Sequence, residues 1–393
     1  MKIGMILDQP FPPDPRVENE AVTLIEQGHE VILFCLSYEG KSGEEVISGI
    51  QVKRYASSNK EYKLSALTYT IPAYNNRLSK KIEDFIQKNA VEILHIHDLR
   101  IAGAVFKANK TQLPTVLDLH ENRPEIMKFY PHLQKFPGKY LISPKKWKRK
   151  EEEFVQKASR VIVVTEEAKQ ELVSRVGVDA NKITVVPNTV RKSFYQESEF
   201  NEEILQKYED HFVVLYVGDT NLRRGLMTAI EASVELSKVI ENYKLVIVGK
   251  NTTDVVLKAK VQELNLQDVV DFEGWQDLSL FPSYIQSSAI CISPLHRNPH
   301  HDTTYANKIF QYMSYGKPLV VSNATAQQSI VEKSQSGLVH QEKNTQDYSD
   351  KILQLYKNPE LAKQLGENGT QFIQEEFSWE ITSKDLIQLY ADF

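Results

Sequence analysis

Short apolar runs alternate with longer amphipathic stretches along the whole chain. Lys2–Leu7, Glu30–Leu36, Val91–Ile96, Thr115–Leu119, Arg160–Thr165 and Ile183–Val186 have the length and β-branched content of strands. Phe212–Val217, Lys244–Val248, Val269–Glu273, Ala289–Ser293, Leu319–Ser322 and Leu338–His340 repeat the pattern. The segments between them carry apolar residues at helical spacing, so the chain predicts βα units and parallel sheets. Each set of strands suits one doubly wound domain, and 393 residues accommodate two of them. The polar stretch from Pro187 to about Glu203 reads as the linker. The expected domains are 1–190, completed by a C-terminal helix over 376–393, and 191–375.

Composition narrows the class. Hydrophobic residues make up 41% and charged residues 25%, which excludes a disordered tail, a fibre and a disulfide scaffold. A net charge of −5 argues against a nucleic-acid partner. No apolar run approaches the roughly 18 residues of a spanning helix. Met1–Leu7, stopped by Asp8, is too short for an export signal, so a cytoplasmic protein is expected. Cys35 and Cys291 read as buried free thiols. The basic excess of the first half gathers at Lys145, Lys146, Trp147, Lys148, Arg149 and Lys150. With Trp147 as anchor this segment would suit the anionic inner face of a membrane. A solvated helix start balanced by Glu151–Glu153 is the alternative.

Ligands of open α/β sheets sit at the carboxyl ends of strands, beside helix N-termini. The unusual residues fall there. After the strand ending at Ser293, Asp302 or Thr303 would cap a helix over Tyr305–Tyr315 that Gly316 and Pro318 terminate. Its start offers the hydroxyls of Thr303 and Thr304, and Lys308 and Gln311 share one side of it, an arrangement suited to a diphosphate. The strand ending at Gly218 leads through a tight loop to Arg223 and Arg224, whose guanidinium groups match phosphate oxygens. Gly249 and Gly274 end two further strands and could shape a nucleobase pocket. In the first half His95-Ile96-His97-Asp98 and Asp118-Leu119-His120-Glu121 close successive strands. A metal is the competing reading there, set aside because no third ligand stands at a useful spacing.

In their order and spacing, Pro12–Glu20, Gln27–Val31, His95–Asp98, Asp118–Glu121, Val185–Asn188, Gly218–Gly225, Asn307–Met313 and Gly316–Pro318 resemble the family 4 glycosyltransferases of the GT-B fold. The resemblance covers nearly the whole chain. It implies an α/β protein of two Rossmann-like doubly wound parallel-sheet domains facing a cleft. A nucleoside-diphosphate sugar would bind the second domain, and a glycan or lipid-linked acceptor the first. Transfer would proceed with retention of configuration and without metal or other cofactor.

By the same resemblance Arg224 stands at the family's phosphate-binding Lys before Gly. Asp219 occupies a position where many members have Arg, with Arg223 supplying that charge. The two family glutamates fall at Thr303 and Gln311. Gln311 would hold the ribose, which marks a branch with Gln in place of the second Glu. The first loop lacks the family's paired glycines, so Arg16 is the expected compensating charge. His120 matches the family histidine beside the donor sugar, with His97, Asp98 and Glu121 on the acceptor side. The missing glutamates also leave open an inactive binding or scaffold protein, and the architecture a nucleotide-sugar epimerase.

Overall fold

A computed structural model describes residues 1–130, 133, 135–136 and 138–393. The chain forms two compact units, Met1–Pro187 with Ser383–Phe393, and Asn188–Thr382. The boundary expected at 190 thus falls at Pro187, and the returning segment is shorter than 376–393. Hydrogen bonds explain the difference. Thr189 donates to Phe377 O at 2.6 Å and Trp379 N–H to Val190 O at 2.9 Å, which ties residues 377–382 to the second unit.

The first unit is built on an eight-stranded sheet: β1 (Lys2–Ile6), β2 (Glu30–Ser37), β3 (Gly43–Ile47), β4 (Ile50–Ala56), β5 (Ile93–His97), β6 (Thr115–Leu119), β7 (Arg160–Val163) and β8 (Ile183–Val185). Their order is β3-β4-β2-β1-β5-β6-β7-β8, parallel except for the β3–β4 hairpin. That hairpin is absent from the sequence reading because β3 is mostly exposed and β4 is interrupted by Lys53 and Arg54. The turn signal was present: Ser48 and Gly49 both take positive φ (51° and 82°) between paired Ile47 and Ile50.

The second unit holds β9 (Phe212–Val217), β10 (Tyr243–Val248), β11 (Val270–Gly274), β12 (Ile290–Ser293), β13 (Leu319–Ser322) and β14 (Gly337–His340). All are parallel, in the order β11-β10-β9-β12-β13-β14. Alternation along β9 explains why both faces carry helices. Val213, Leu215 and Val217 pack with Ile309, Phe310 and Met313, while Val214 and Tyr216 pack with Leu226, Ile230 and Tyr348. Full burial of such side chains stabilises by about 1.5–3 kcal/mol each. Cys35 and Cys291 are buried free thiols, as expected.

Strand order reverses between β1 and β5 in the first sheet and between β9 and β12 in the second. At these points the crossover loops diverge and leave room beyond the strand ends, which is where ligands of such sheets bind. The family-like motifs follow β1, β5, β6, β9 and β12.

The C-terminal helix Lys384–Ala391 completes the first unit, with Tyr390 buried and its hydroxyl 2.7 Å from His95 Nδ1. Tyr390→Ala removes that packing and leaves the imidazole without its partner. It should destabilise the first unit by about 3–5 kcal/mol, measured as an earlier urea transition, with the second unit's transition unmoved. A Tyr390→Phe variant should recover most of the loss.

Candidate functional site

In the second unit the site begins where β9 ends. Gly218 takes φ 122°, and a Cβ there would lie 3.4 Å from Lys308 Nζ. The chain then turns through Asp219 and a single 3-10 turn, Leu222–Arg224, into the helix Leu226–Val239. Gly225 closes that turn at φ 78°, where a Cβ would meet Pro294 O at 1.7 Å, so no larger residue fits. Arg223 and Arg224 each reach Asp219 at 3.3 Å, and Arg223 Nη1 lies 2.9 Å from His301 Nε2.

Lys308 projects into this group from the start of the helix Lys308–Ser314. Its Nζ is buried, sits 3.4 Å above the centroid of the Tyr216 ring, and has no hydrogen-bond partner among the described residues. Burial and the nearby Arg224 hold it well below the ordinary lysine value. Burial and Arg224 also push His301 down to about 3, so it is neutral beside the arginines. Sequence reasoning missed His301. Its only signal was the adjacent pair His300-His301 just before the recognised motif.

The helix expected over Tyr305–Tyr315 is shorter, Lys308–Ser314. A short turn, Pro299–Asp302, precedes a break, and the helix begins at Lys308 behind Asn307, which makes no side-chain cap. Thr303 and Thr304 are therefore not a helix start. Their hydroxyls donate to Pro299 O at 2.7 Å and His300 O at 2.6 Å, closing the preceding turn. Asp302 instead faces Arg297 and accepts from Thr325 N–H at 2.8 Å. Gln311, one turn after Lys308, is half-buried. Gly249 N–H donates to Gly274 O at 2.7 Å, which holds the ends of β10 and β11 together. Gly249 also lies so close to Gly218 O that a Cβ would approach it to 1.8 Å.

In the first unit the expected role of Arg16 is corrected. Arg16 lies one residue into the helix Pro15–Glu26, which Asp14 caps, and its guanidinium is buried. Nε and Nη2 donate to the two oxygens of Asp118 at 2.9 and 2.6 Å, and Nη1 donates to Val186 O at 3.0 Å. Nη2 also lies 2.9 Å from Glu20. A group so fully engaged cannot serve a diphosphate. Its sequence position looked like a loop charge, but Pro15 at the first helical position turns it inward.

Asp118 is the hub. His120 Nε2 lies 2.8 Å from its Oδ2 and 3.2 Å from His97 Nδ1. Burial opposes charge on His120, but the attraction and hydrogen bond of Asp118 outweigh it and push the imidazole up to about 9. Burial and the neighbouring His95 push His97 down to about 4. His97 is wholly buried, so it supports His120 rather than touching an acceptor. Asp98, at a strained φ of 74°, caps the helix Leu99–Ala108 and is paired with Arg123. Glu121 lies 3.1 Å from the same guanidinium. These two carboxylates therefore position Arg123.

The argument against a metal also needs correction, because the fold supplies further ligands. Ligand atoms of Glu20, His95, His97 and Asp118 lie within 4.8 Å of one another, all buried. Helix packing brings in Glu20, which no sequence spacing revealed. Both Asp118 oxygens already accept from Arg16, and the guanidinium supplies the positive charge a cation would bring. The donor set fits an internal ion network better than a metal centre. The proposed membrane anchor fails at one residue: Trp147 is 2% exposed in the helix Pro144–Lys157. Lys145, Lys146 and Arg149 face solvent, and Lys150 pairs with Glu153 at 2.6 Å. No helix among the described residues is long and apolar enough to cross a membrane.

Known proteins match both halves of the chain and share its fold. Residues 16–194 match the family model Glycosyltransferase Family 4, and residues 197–372 match the model Glycosyl transferases group 1. An uncharacterised glycosyltransferase of Methanocaldococcus jannaschii is 25% identical over 336 residues, 84% of this chain and 82% of the relative. The capsular polysaccharide biosynthesis glycosyltransferase CapM of Staphylococcus aureus is 22% identical, over 60% of this chain and 62% of its own. In fold, the chain is similar to sucrose-phosphate synthase of Thermosynechococcus elongatus (TM-score 0.79, 18% identity, 100% and 98% of the two chains). It is also similar to Anabaena HepE in complex with UDP and glucose (TM-score 0.74, 15% identity, both chains covered in full). Each half of the chain is thus matched by a glycosyltransferase family model of its own, on the two-domain GT-B fold.

Proposed function

We propose that the protein moves a hexose-type sugar from a nucleoside-diphosphate sugar to a glycan or lipid-linked acceptor, with retention of configuration. The observation that carries this reading is Lys308, a buried amine without a hydrogen-bond partner among the described residues, beside two arginines at the end of β9. Leaving such a donor unsatisfied is costly, and a diphosphate oxygen would satisfy it. Arg223 and Arg224 would exchange Asp219 for the second phosphate. Gln311, one turn along the helix, would take a ribose hydroxyl. The nucleobase would lie past Gly249 and Gly274, where Trp275 is 72% exposed and open to stacking.

In the reaction the bond from the anomeric carbon to the β-phosphate oxygen breaks, and the acceptor oxygen bonds to that carbon on the same face. The acceptor's proton passes to the departing phosphate. Negative charge grows on the diphosphate, so fixed cations lower the barrier without a metal. His120, held as imidazolium by Asp118, would donate to a sugar hydroxyl and fix the anomeric carbon. Capsular polysaccharide assembly, the setting of CapM, supports a glycan or lipid-linked acceptor for this chain too.

Arg224→Ala should lower kcat at least about 100-fold with an unchanged circular dichroism spectrum; near-normal turnover refutes the assigned role. Burial and Arg224 hold Lys308 well below the ordinary lysine value, and a bound diphosphate favours its charged form. UDP binding should therefore take up a proton, seen as a binding enthalpy that varies with buffer ionisation enthalpy. Lys308→Met should abolish that dependence. His120 should titrate near pH 9 by NMR rather than near the ordinary 6.5. Its raised value stabilises the folded unit fully below pH 6.5, and this contribution is lost as pH climbs through 9. Asp118→Asn should return the midpoint below 7.

A further inference from the structure

The first unit contains a cavity of about 980 Å³ that the proposed transfer has not used. That is the upper end of the size range of small-molecule sites. Its wall is formed by the helix Asn59–Ser65, the start of the helix Leu99–Ala108, the stretch Arg123–Tyr130, described residues between 135 and 142, and Trp147. Leu67, Met127, Leu141, Ile142 and Trp147 make much of the wall apolar. Trp147 is almost wholly buried, yet its indole N–H has no hydrogen-bond partner among the described residues. Phe136 and Tyr140 stand 85% and 76% exposed beside it, an arrangement that water alone does not reward.

The charge on the wall has one sign. Lys63, Arg100, Arg123 and Lys135 line the cavity, and no carboxylate does among the described residues. Arg100 is fixed by both oxygens of Asp8, at 2.6 and 2.7 Å, and Arg123 by Asp98. Lys63 and Lys135 make no ion pair among the described residues. An occupant that satisfies this wall has a hydrocarbon body and an anionic head.

We propose that the cavity binds the chain and phosphate head of an amphipathic acceptor, an isoprenoid or acyl phosphate ester carrying the hydroxyl to be glycosylated. This rests on reading the protein as a sugar transferase, and it commits that reading to a lipid-linked acceptor. Position supports it. Arg123 follows His120 by three residues, and both act on the Asp98 carboxylate. A phosphate held by Lys63 and Lys135 therefore sits in a wall that shares the 120–123 loop with the imidazole assigned to the sugar. The lipid chain enters past Phe136 and Leu141, so Trp147 serves as an inner wall.

Calorimetric titration of the full chain with farnesyl diphosphate, farnesol and inorganic pyrophosphate, below micellar concentrations, tests the proposal. Farnesyl diphosphate should bind at least tenfold more tightly than either half alone. Leu141→Asp and Lys63→Glu, both at exposed positions, should each weaken it at least tenfold while UDP affinity stays unchanged. Lys308→Met should leave farnesyl diphosphate binding intact while weakening UDP. Loss of lipid binding in Lys308→Met would place the ligand at the diphosphate site of the second unit and overturn the proposal. So would pyrophosphate binding as tightly as the farnesyl ester, or indifference to both cavity substitutions. A chain dimer dissolved by Leu141→Asp, without lipid binding, would assign the face to a second copy. Failure of UDP to bind the unaltered protein would instead remove the donor reading and leave the cavity result standing.

Discussion

The Asp118 carboxylate holds the first unit's site together. It lies fully buried at the end of β6, where an isolated charge would be prohibitive. Arg16 from the first helix and His120 from the following loop meet it with good geometry, and they hold it well below the ordinary carboxylate range despite burial. Removing any member would strand the others, which is why such clusters are all-or-none. One consequence is a charged imidazole at a strand exit near neutral pH. Another is that Arg16 is spent on structure, its guanidinium engaged by Asp118, Glu20 and Val186 O.

The second unit solves the opposite problem. There Arg223 and Arg224 converge on the carboxylate of Asp219, and Lys308 is buried against an aromatic face. Parallel β-topology makes this arrangement possible, since β9 and β12 diverge at their carboxyl ends and the backbone of Gly218 leaves room for a long side chain. A buried amine left without a hydrogen bond carries a desolvation cost that the aromatic face offsets only in part. The buried charges of the first unit pair with one another, whereas the amine of Lys308 has no hydrogen-bond partner among the described residues.

Much of the fold was legible because buried parallel strands are written as continuous apolar runs. Six strands of the first sheet carry that mark, and so do those of the second except β11, whose Asp271 and Glu273 interrupt it. The β3–β4 hairpin does not, since an exposed edge strand has no hydrophobic constraint to display. Motif residues at strand ends were also legible, because Gly218, Arg224, Lys308 and His120 sit where the sheet topology demands. The roles of Arg16, Thr303 and Trp147 were not. Each depends on which way a side chain turns, and one residue of helical phase exchanges solvent for core.

The sequence by itself determined two parallel-sheet units, the strand ends that bear the chemistry, and the residue types suited to a diphosphate and a sugar. Tertiary structure alone decided which charges are free. Glu20, His95, Asp118 and Arg16 come from separate stretches of chain and cancel one another only when helix and sheet are packed, while Lys308 is left without a hydrogen-bond partner among the described residues. Electrostatic pairing falls off over a few ångströms, and distances that short between remote residues do not exist until the chain has folded.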